Sequence, residues 1–280
     1  MTELEEIAEL KASKLIYENP YAHEDDLNRL TKSVSRFDGI DIGTPIEIQA
    51  AKPRRRTDEE IEQLARRLQI RIWERRSEFF QRGKLIDPLD ALDPVIAFKL
   101  LDYEVEITGA LGLHPKAGDA ASNVAGIIDK PNRKVLLSSG FPASVRNFTA
   151  AHELGHAVMH DFVGLHRDRP LDGTSGSQDP QEREAEKFAA YFLMPRKLLT
   201  KVFESIFGNG PFELTDETRF ALAGALPRES RWQPRNRREI SRVLASTPVF
   251  NGVNILPLMT QFRVSKEAMA IRLEQLALLR

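Results

Sequence analysis

The stretch His152-Glu153-Leu154-Gly155-His156 governs how the rest of the chain reads. Two histidines four apart share one face of an α-helix, about 6 Å from each other. That is close enough for both imidazoles to hold a single metal ion at about 2.0–2.1 Å. Glu153 lies about 100° around the helix from His152, where it reaches a water on that ion rather than the ion itself. An H-E-x-x-H run on a helix therefore points to metal-assisted hydrolysis. Pro142 suits a first helical turn, and the residues from Ala143 to Ala151 include no helix breaker. Val145, Phe148, Ala151 and Val158 recur at helical spacing. Gly155 costs about 1 kcal/mol relative to Ala inside a helix, so its presence predicts that another segment or a ligand comes close there.

Two histidines leave a catalytic site one protein ligand short. The chain has no cysteine, so the third must be His, Asp or Glu. Downstream, Ala185, Phe188, Ala189, Phe192 and Leu193 form an i, i+3, i+4, i+7, i+8 stripe that predicts a second helix ending at Pro195. Glu182 and Glu186 lie one turn apart beside that stripe, whereas Glu184 points away from it and Gln178 lacks the charge of a good ligand. One of the pair Glu182 and Glu186 would bind the ion while the other accepts a hydrogen bond from a ligand histidine. Such a site keeps a net positive charge and draws the pKa of its water towards 7. Glu153 would take the proton and pass it to the leaving amine. Tyr191, His160 and His166 are the nearby candidates for stabilising the oxyanion, with His160 more suited to a supporting role because it lies a full turn beyond His156.

Residues 146–156, Arg-Asn-Phe-Thr-Ala-Ala-His-Glu-Leu-Gly-His, resemble the active-site helix of the ImmA/IrrE metallo-endopeptidases, and residues 182–195 look like that family's second signature. The resemblance covers roughly residues 124–195, extends more weakly over 255–279, and does not reach residues before 95. It implies that His152, His156 and Glu182 ligate zinc and that Glu153 is the general base. Glu186 then occupies a supporting position where the family commonly has Asn or Asp, a departure because Glu is longer. It further implies a cytoplasmic regulatory protease of gluzincin type whose protein substrate is a transcriptional regulator such as a repressor. Two histidines and a glutamate also suit manganese or iron.

The expected fold is α+β: a mainly helical zincin-like metallopeptidase core with a small β-sheet, plus helical N- and C-terminal regions. Residues 124–128 and 133–138 read as strands around a Pro-Asn turn, and 103–107 as an earlier strand. Such a sheet offers an edge on which an extended peptide can lie. Residues 161–181, rich in Gly and Asp, read as a loop between the two metal helices and a candidate lid. Pro88 and Pro94 suggest a boundary near residue 90. The expected division is therefore 1–95, a helical N-terminal region; 96–205, the catalytic domain; and 206–280, a helical C-terminal region with a helix-turn-helix-like end.

With 40 Lys+Arg against 41 Asp+Glu, no global field dictates a partner. The lack of cysteine argues against a disulfide-stapled secreted protein, and the acidic start, Met1 to Glu6, is unlike a signal peptide. No apolar run approaches the roughly 20 residues that span a bilayer, so a cytoplasmic protein with no membrane association is expected. Residues 52–84 are basic, and Ile61, Leu64, Ala65, Leu68 and Ile72 mark an amphipathic helix there, begun by Thr57-Asp58-Glu59-Glu60. Its arginines suit a solvated face better than nucleic acid. Residues 256–273 have helix-turn-helix spacing with Ser265 as a cap. The exposed face of that segment, Lys266, Glu267, Ala270, Glu274 and Gln275, lacks the positive excess of a DNA reader. Direct nucleic-acid binding is thus not favoured over packing or substrate docking. The competing reading is a DNA- or protein-binding regulator whose metal site is structural or vestigial.

Overall fold

The computed structural model describes residues 19–21, 55–80, 87–114, 122–161, 165–168, 179–222 and 234–280. It is an α+β structure, mainly helical, with one four-stranded sheet. Ten helices occur among the described residues, none long and apolar enough to cross a membrane.

Helix α1 (Asp58–Glu74) starts where the sequence places it. Thr57 and Glu60 form a reciprocal capping box, and Ile61, Ala65, Leu68 and Ile72 are buried. A short α2 (Arg76–Phe79) follows. Pro88 opens a 3-10 turn, Pro88–Leu92, and Pro94 opens α3 (Pro94–Leu100), each capped by the aspartate before it. Ala91, Leu92, Ala97 and Phe98 are buried, so this proline-marked stretch is packed.

Strands β1 (Glu104–Thr108), β4 (Gly126–Asp129), β5 (Lys134–Ser138) and β6 (Leu165–Asp168) form the main sheet, in the order β1-β5-β4-β6. The minor pair β2 (Leu113–His114) and β3 (Ser122–Asn123) stands apart. The predicted hairpin is β4–β5, with Ile127 opposite Leu136. Strand β1 runs parallel to β5. Strand β6 lies within the stretch that reads as loop and pairs antiparallel with β4. Its Leu-His-Arg-Asp sequence has no apolar alternation, so only the partner strand's backbone reveals it. The predicted lid otherwise falls on residues 162–164 and 169–178, outside the described residues.

Helix α4 (Ala143–Met159) begins after Pro142 and is buried on every side from Phe148 to Met159. Helix α5 (Pro180–Leu193) is capped by Asp179 and buries its whole predicted stripe, Ala185, Phe188, Ala189, Phe192 and Leu193. The two helices touch at Gly155: a Cβ there would lie 3.1 Å from Ala185 Cα and 3.2 Å from Phe188 Cβ. The missing side chain is what lets the backbones come so near.

The C-terminal part contains α6 (Arg196–Phe207), α7 (Asp216–Ala221), α8 (Arg237–Ser246), the hairpin of β7 (Val249–Phe250) and β8 (Val253–Asn254), α9 (Leu258–Gln261) and α10 (Lys266–Gln275). Ser265 caps α10 as expected. Part of its supposed reading face is already engaged. Arg238 of α8 binds Glu274 through two nitrogens and also reaches Glu267, Arg242 takes the other oxygen of Glu267, and Ala270 is buried. One hydrophobic core joins Ile61 and Leu68 of α1, Phe148 and Leu154 of α4, Phe188 of α5 and Leu273 of α10.

The end of α5 is fastened from both flanks. Gln69 of α1 donates to the carbonyls of Tyr191 (3.1 Å) and Phe192 (2.7 Å), and Arg272 of α10 donates to that of Met194 (3.0 Å). These carbonyls are the acceptors a helix end leaves without intrahelical partners. Arg272 is almost fully buried over the Tyr191 ring, 3.6 Å from Glu62 of α1. Burial holds its guanidinium down to about 10, still protonated at neutral pH.

The Gly155→Val substitution should force α4 and α5 apart and destabilise the fold by about 1–3 kcal/mol, measured as a shift in the denaturant midpoint of unfolding.

Candidate metal centre

Helix periodicity places His152 and His156 on one face of α4, and the close crossing at Gly155 brings α5 against that face. Glu182 lies one turn before Ala185, the residue under Gly155, so its carboxylate arrives between the two imidazoles. His152 Nε2 lies 3.3 Å from Glu182 Oε2, His156 Nε2 lies 3.3 Å from Glu182 Oε1, and the two Nε2 atoms are 2.9 Å apart. Both histidines are buried.

Three lone-pair donors turned towards one another in a buried site repel unless a cation sits at their focus. A tetrahedral ion with ligands at about 2.0–2.1 Å separates those ligands by about 3.3–3.4 Å. Both nitrogen–oxygen distances match that edge, and the nitrogen–nitrogen distance is about 0.4 Å shorter. The donor set, two imidazoles and a carboxylate, fits a divalent ion with room for a further ligand.

Glu153 is fully buried and turns towards β4 instead of joining the three. A Cβ at Gly126 would lie 2.6 Å from Glu153 Oε1 and 2.8 Å from Thr149 Cγ2. Glycine at that point of the strand is what gives the carboxylate its space. Glu186, one turn past Glu182, is partly exposed and is not one of the three converging residues.

A carboxylate that meets His160, at the C-terminal cap of α4, is Glu184, which the helical stripe places on the wrong side. It is buried, 3.2 Å from His160 Nε2, and accepts from the backbone nitrogen of Arg56 at 2.8 Å. His160 Nδ1 lies 3.0 Å from His156 Nδ1. Burial is the larger influence on His160 and keeps its pKa below the ordinary imidazole range, while Glu184 pulls the other way. The sequence hides the role of Glu184 because its partners, Arg56 and His160, come from distant elements. Lys130, from the turn after β4, reaches the carbonyls of His156 (3.3 Å) and His160. A cation at that point suits the negative end of α4.

Of the oxyanion candidates, Tyr191 turns away from the site. Its ring lies under Arg272 and its hydroxyl reaches Asp58 at 3.4 Å, with burial and Asp58 pushing it up to about 12. His160 is engaged by His156 and Glu184. The side chain of His166 falls outside the described residues.

Comparison with known proteins finds a family match over this part of the chain. Residues 111–208 match the model of a peptidase family, M78, described as the IrrE N-terminal-like domain. The match is confined to that segment. The matched span takes in β4, β5, both histidines, Glu182 and the whole of α5, which bears out the ImmA/IrrE resemblance. The chain is also similar to a protein of Bacillus phage phi105 named "Uncharacterized immunity region protein 2", with 30% identity over 103 residues. That match takes in 36% of this chain and 58% of the phage protein, so the chain spans little more than half of its relative. No solved structure matches.

Elemental analysis of the purified chain should find one equivalent of a divalent ion, and none after His156→Ala. Removing the ion with a chelator should lower the melting temperature, because the ion binds the folded state and the unfolded chain has no such site.

Proposed function

We propose that this protein is a zinc-dependent metallo-endopeptidase that cleaves a transcriptional repressor or a similar regulatory protein in the cytoplasm. The observation that carries this reading is the convergence of His152, His156 and Glu182 on one point, with the buried carboxylate of Glu153 on the next position of the same helix. The family of the matched segment is a peptidase family, which supports a peptide bond as the target. The phage relative's name, which refers to an immunity region, supports a repressor as the substrate.

His152, His156 and Glu182 would hold the ion, which when bound polarises a carbonyl and brings the pKa of water towards neutrality. Manganese or iron would find the same donors suitable. Glu153 is the general base. It accepts a proton from the attacking water and returns it to the leaving amine nitrogen, a role that needs a carboxylate beside the ligands and not among them. The close fit of Gly126 against that carboxylate restricts where it can swing, so the base is oriented before substrate arrives. Strands β1 and β6 are the two edges of the sheet, and an extended segment of substrate would lie along one of them by strand addition. The C-terminal α9–α10 pair serves the fold, since part of its supposed reading face is taken up by Arg238 and Arg242.

Glu153→Gln should keep the bound ion and lose cleavage by a factor of about 10²–10⁴, read by incubating the variant with candidate repressors and following fragments by mass spectrometry. Cleavage at the native rate in that variant would overturn the mechanism. Gly126→Ala crowds the same carboxylate from the strand side. It should also cut activity at least tenfold while metal content stays at one equivalent, about 1.4 kcal/mol of transition-state stabilisation.

A further inference from the structure

We propose that Arg56, which lies outside the matched domain, is a positioning residue for the metal centre: with Glu184 it fixes His160, and His160 fixes the ring of His156. This inference rests on reading His152, His156 and Glu182 as a metal site. It starts from an unbroken run of contacts. Arg56 donates to Glu184 twice, from its backbone nitrogen to Oε1 at 2.8 Å and from a guanidinium nitrogen to Oε2 at 3.3 Å. Glu184 Oε2 lies 3.2 Å from His160 Nε2, and His160 Nδ1 lies 3.0 Å from His156 Nδ1.

Hydrogen-bond chemistry allows one direction through this run. A ligand histidine that offers Nε2 to an ion carries its proton on Nδ1, so His156 donates to His160 Nδ1. Neutral His160 then carries its own proton on Nε2 and donates to Glu184 Oε2. Without an acceptor at position 184 the His160 Nε2 proton would lack this partner, and nothing in the run would select the tautomer that accepts from His156. A buried carboxylate is costly unless it is paired and hydrogen-bonded. Arg56 supplies the opposite charge and two of the bonds, its side chain only 27% exposed. Outer partners of this kind set the orientation and basicity of the ligand they touch.

Arg56 immediately precedes the Thr57 cap of α1, so the contact ties the N-terminal helix to the support of the metal site. The other side of His160 is held as well, because Lys130 binds its carbonyl. The ring is thus fixed at both nitrogens and at its backbone.

A merely structural role is separable because the backbone bond from Arg56 survives any side-chain change. The test measures zinc and cobalt(II) affinity of the full-length chain by chelator competition, together with the melting temperature of the metal-free protein. Glu184→Gln should weaken affinity about tenfold or more, the usual effect of losing an outer partner. Arg56→Ala should weaken it by about three- to tenfold, less because the backbone bond remains. Arg56→Lys should recover most of the loss, and the metal-free melting temperature of Arg56→Ala should stay at the native value. Native affinity in both Arg56→Ala and Glu184→Gln overturns the positioning role while leaving the metal centre intact. An affinity loss that tracks a fall in metal-free melting temperature and is not rescued by lysine also overturns it. A native chain that binds no ion overturns the metal centre itself, and this proposal with it.

Discussion

The contact between Gly155 and the backbone of Ala185 is the constraint on which the remaining geometry depends. Helices normally pack 8–10 Å apart because side chains keep them there. Removing the side chain at the crossing point lets α5 settle directly on α4, and the residues on either side of the crossing gain their relationship from it. His152 and His156 flank Gly155 on one helix, and Glu182 precedes Ala185 by a turn on the other. A larger residue at position 155 would separate the two helices where the carboxylate has to reach between the imidazoles. The conformational cost of glycine in a helix, about 1 kcal/mol, is therefore tied to the site and not to the helix alone.

A buried cluster of two histidines and a carboxylate needs support from outside, because each imidazole has a second nitrogen and each helix end has carbonyls to satisfy. The described structure shows that support coming from well beyond the matched segment. Gln69 and Arg272 hold the end of α5 from opposite sides and Arg56 reaches Glu184 behind His156, while Lys130, within the matched segment, holds the end of α4. Residues before and after positions 111–208 thus share both the core and the polar contacts of the candidate centre. The helical segments on either side of the matched segment meet it through these few polar side chains.

Local pattern makes much of this legible. The spacing of His152 and His156, the stripe from Ala185 to Leu193, the capping box at Thr57 and the Pro-Asn hairpin are each encoded within a few residues of themselves, and each appears in the structure. Periodicity misplaces Glu184 for a physical reason: it reports which residues face the apolar core, and a carboxylate buried by an arginine and a histidine from other elements obeys no such period. Strand β6 leaves no local signal because a short polar edge strand owes its shape to its neighbour's backbone. The α9–α10 pair has the spacing of a DNA-reading motif, and only the tertiary structure reveals that the arginines of α8 engage Glu267 and Glu274 on its face.

The sequence by itself determined the helix that carries the two imidazoles, the acid beside them and the short choice of further carboxylates, because these follow from the 3.6-residue period and from donor chemistry. Residue pattern left Glu182 and Glu186 as alternatives that only the resemblance separated, and the tertiary structure is what brings Glu182 to the two histidines and Glu184 to His160. That arrangement depends on how closely two helices cross and on what arrives from 128 residues away, and neither is written in the local order of residues.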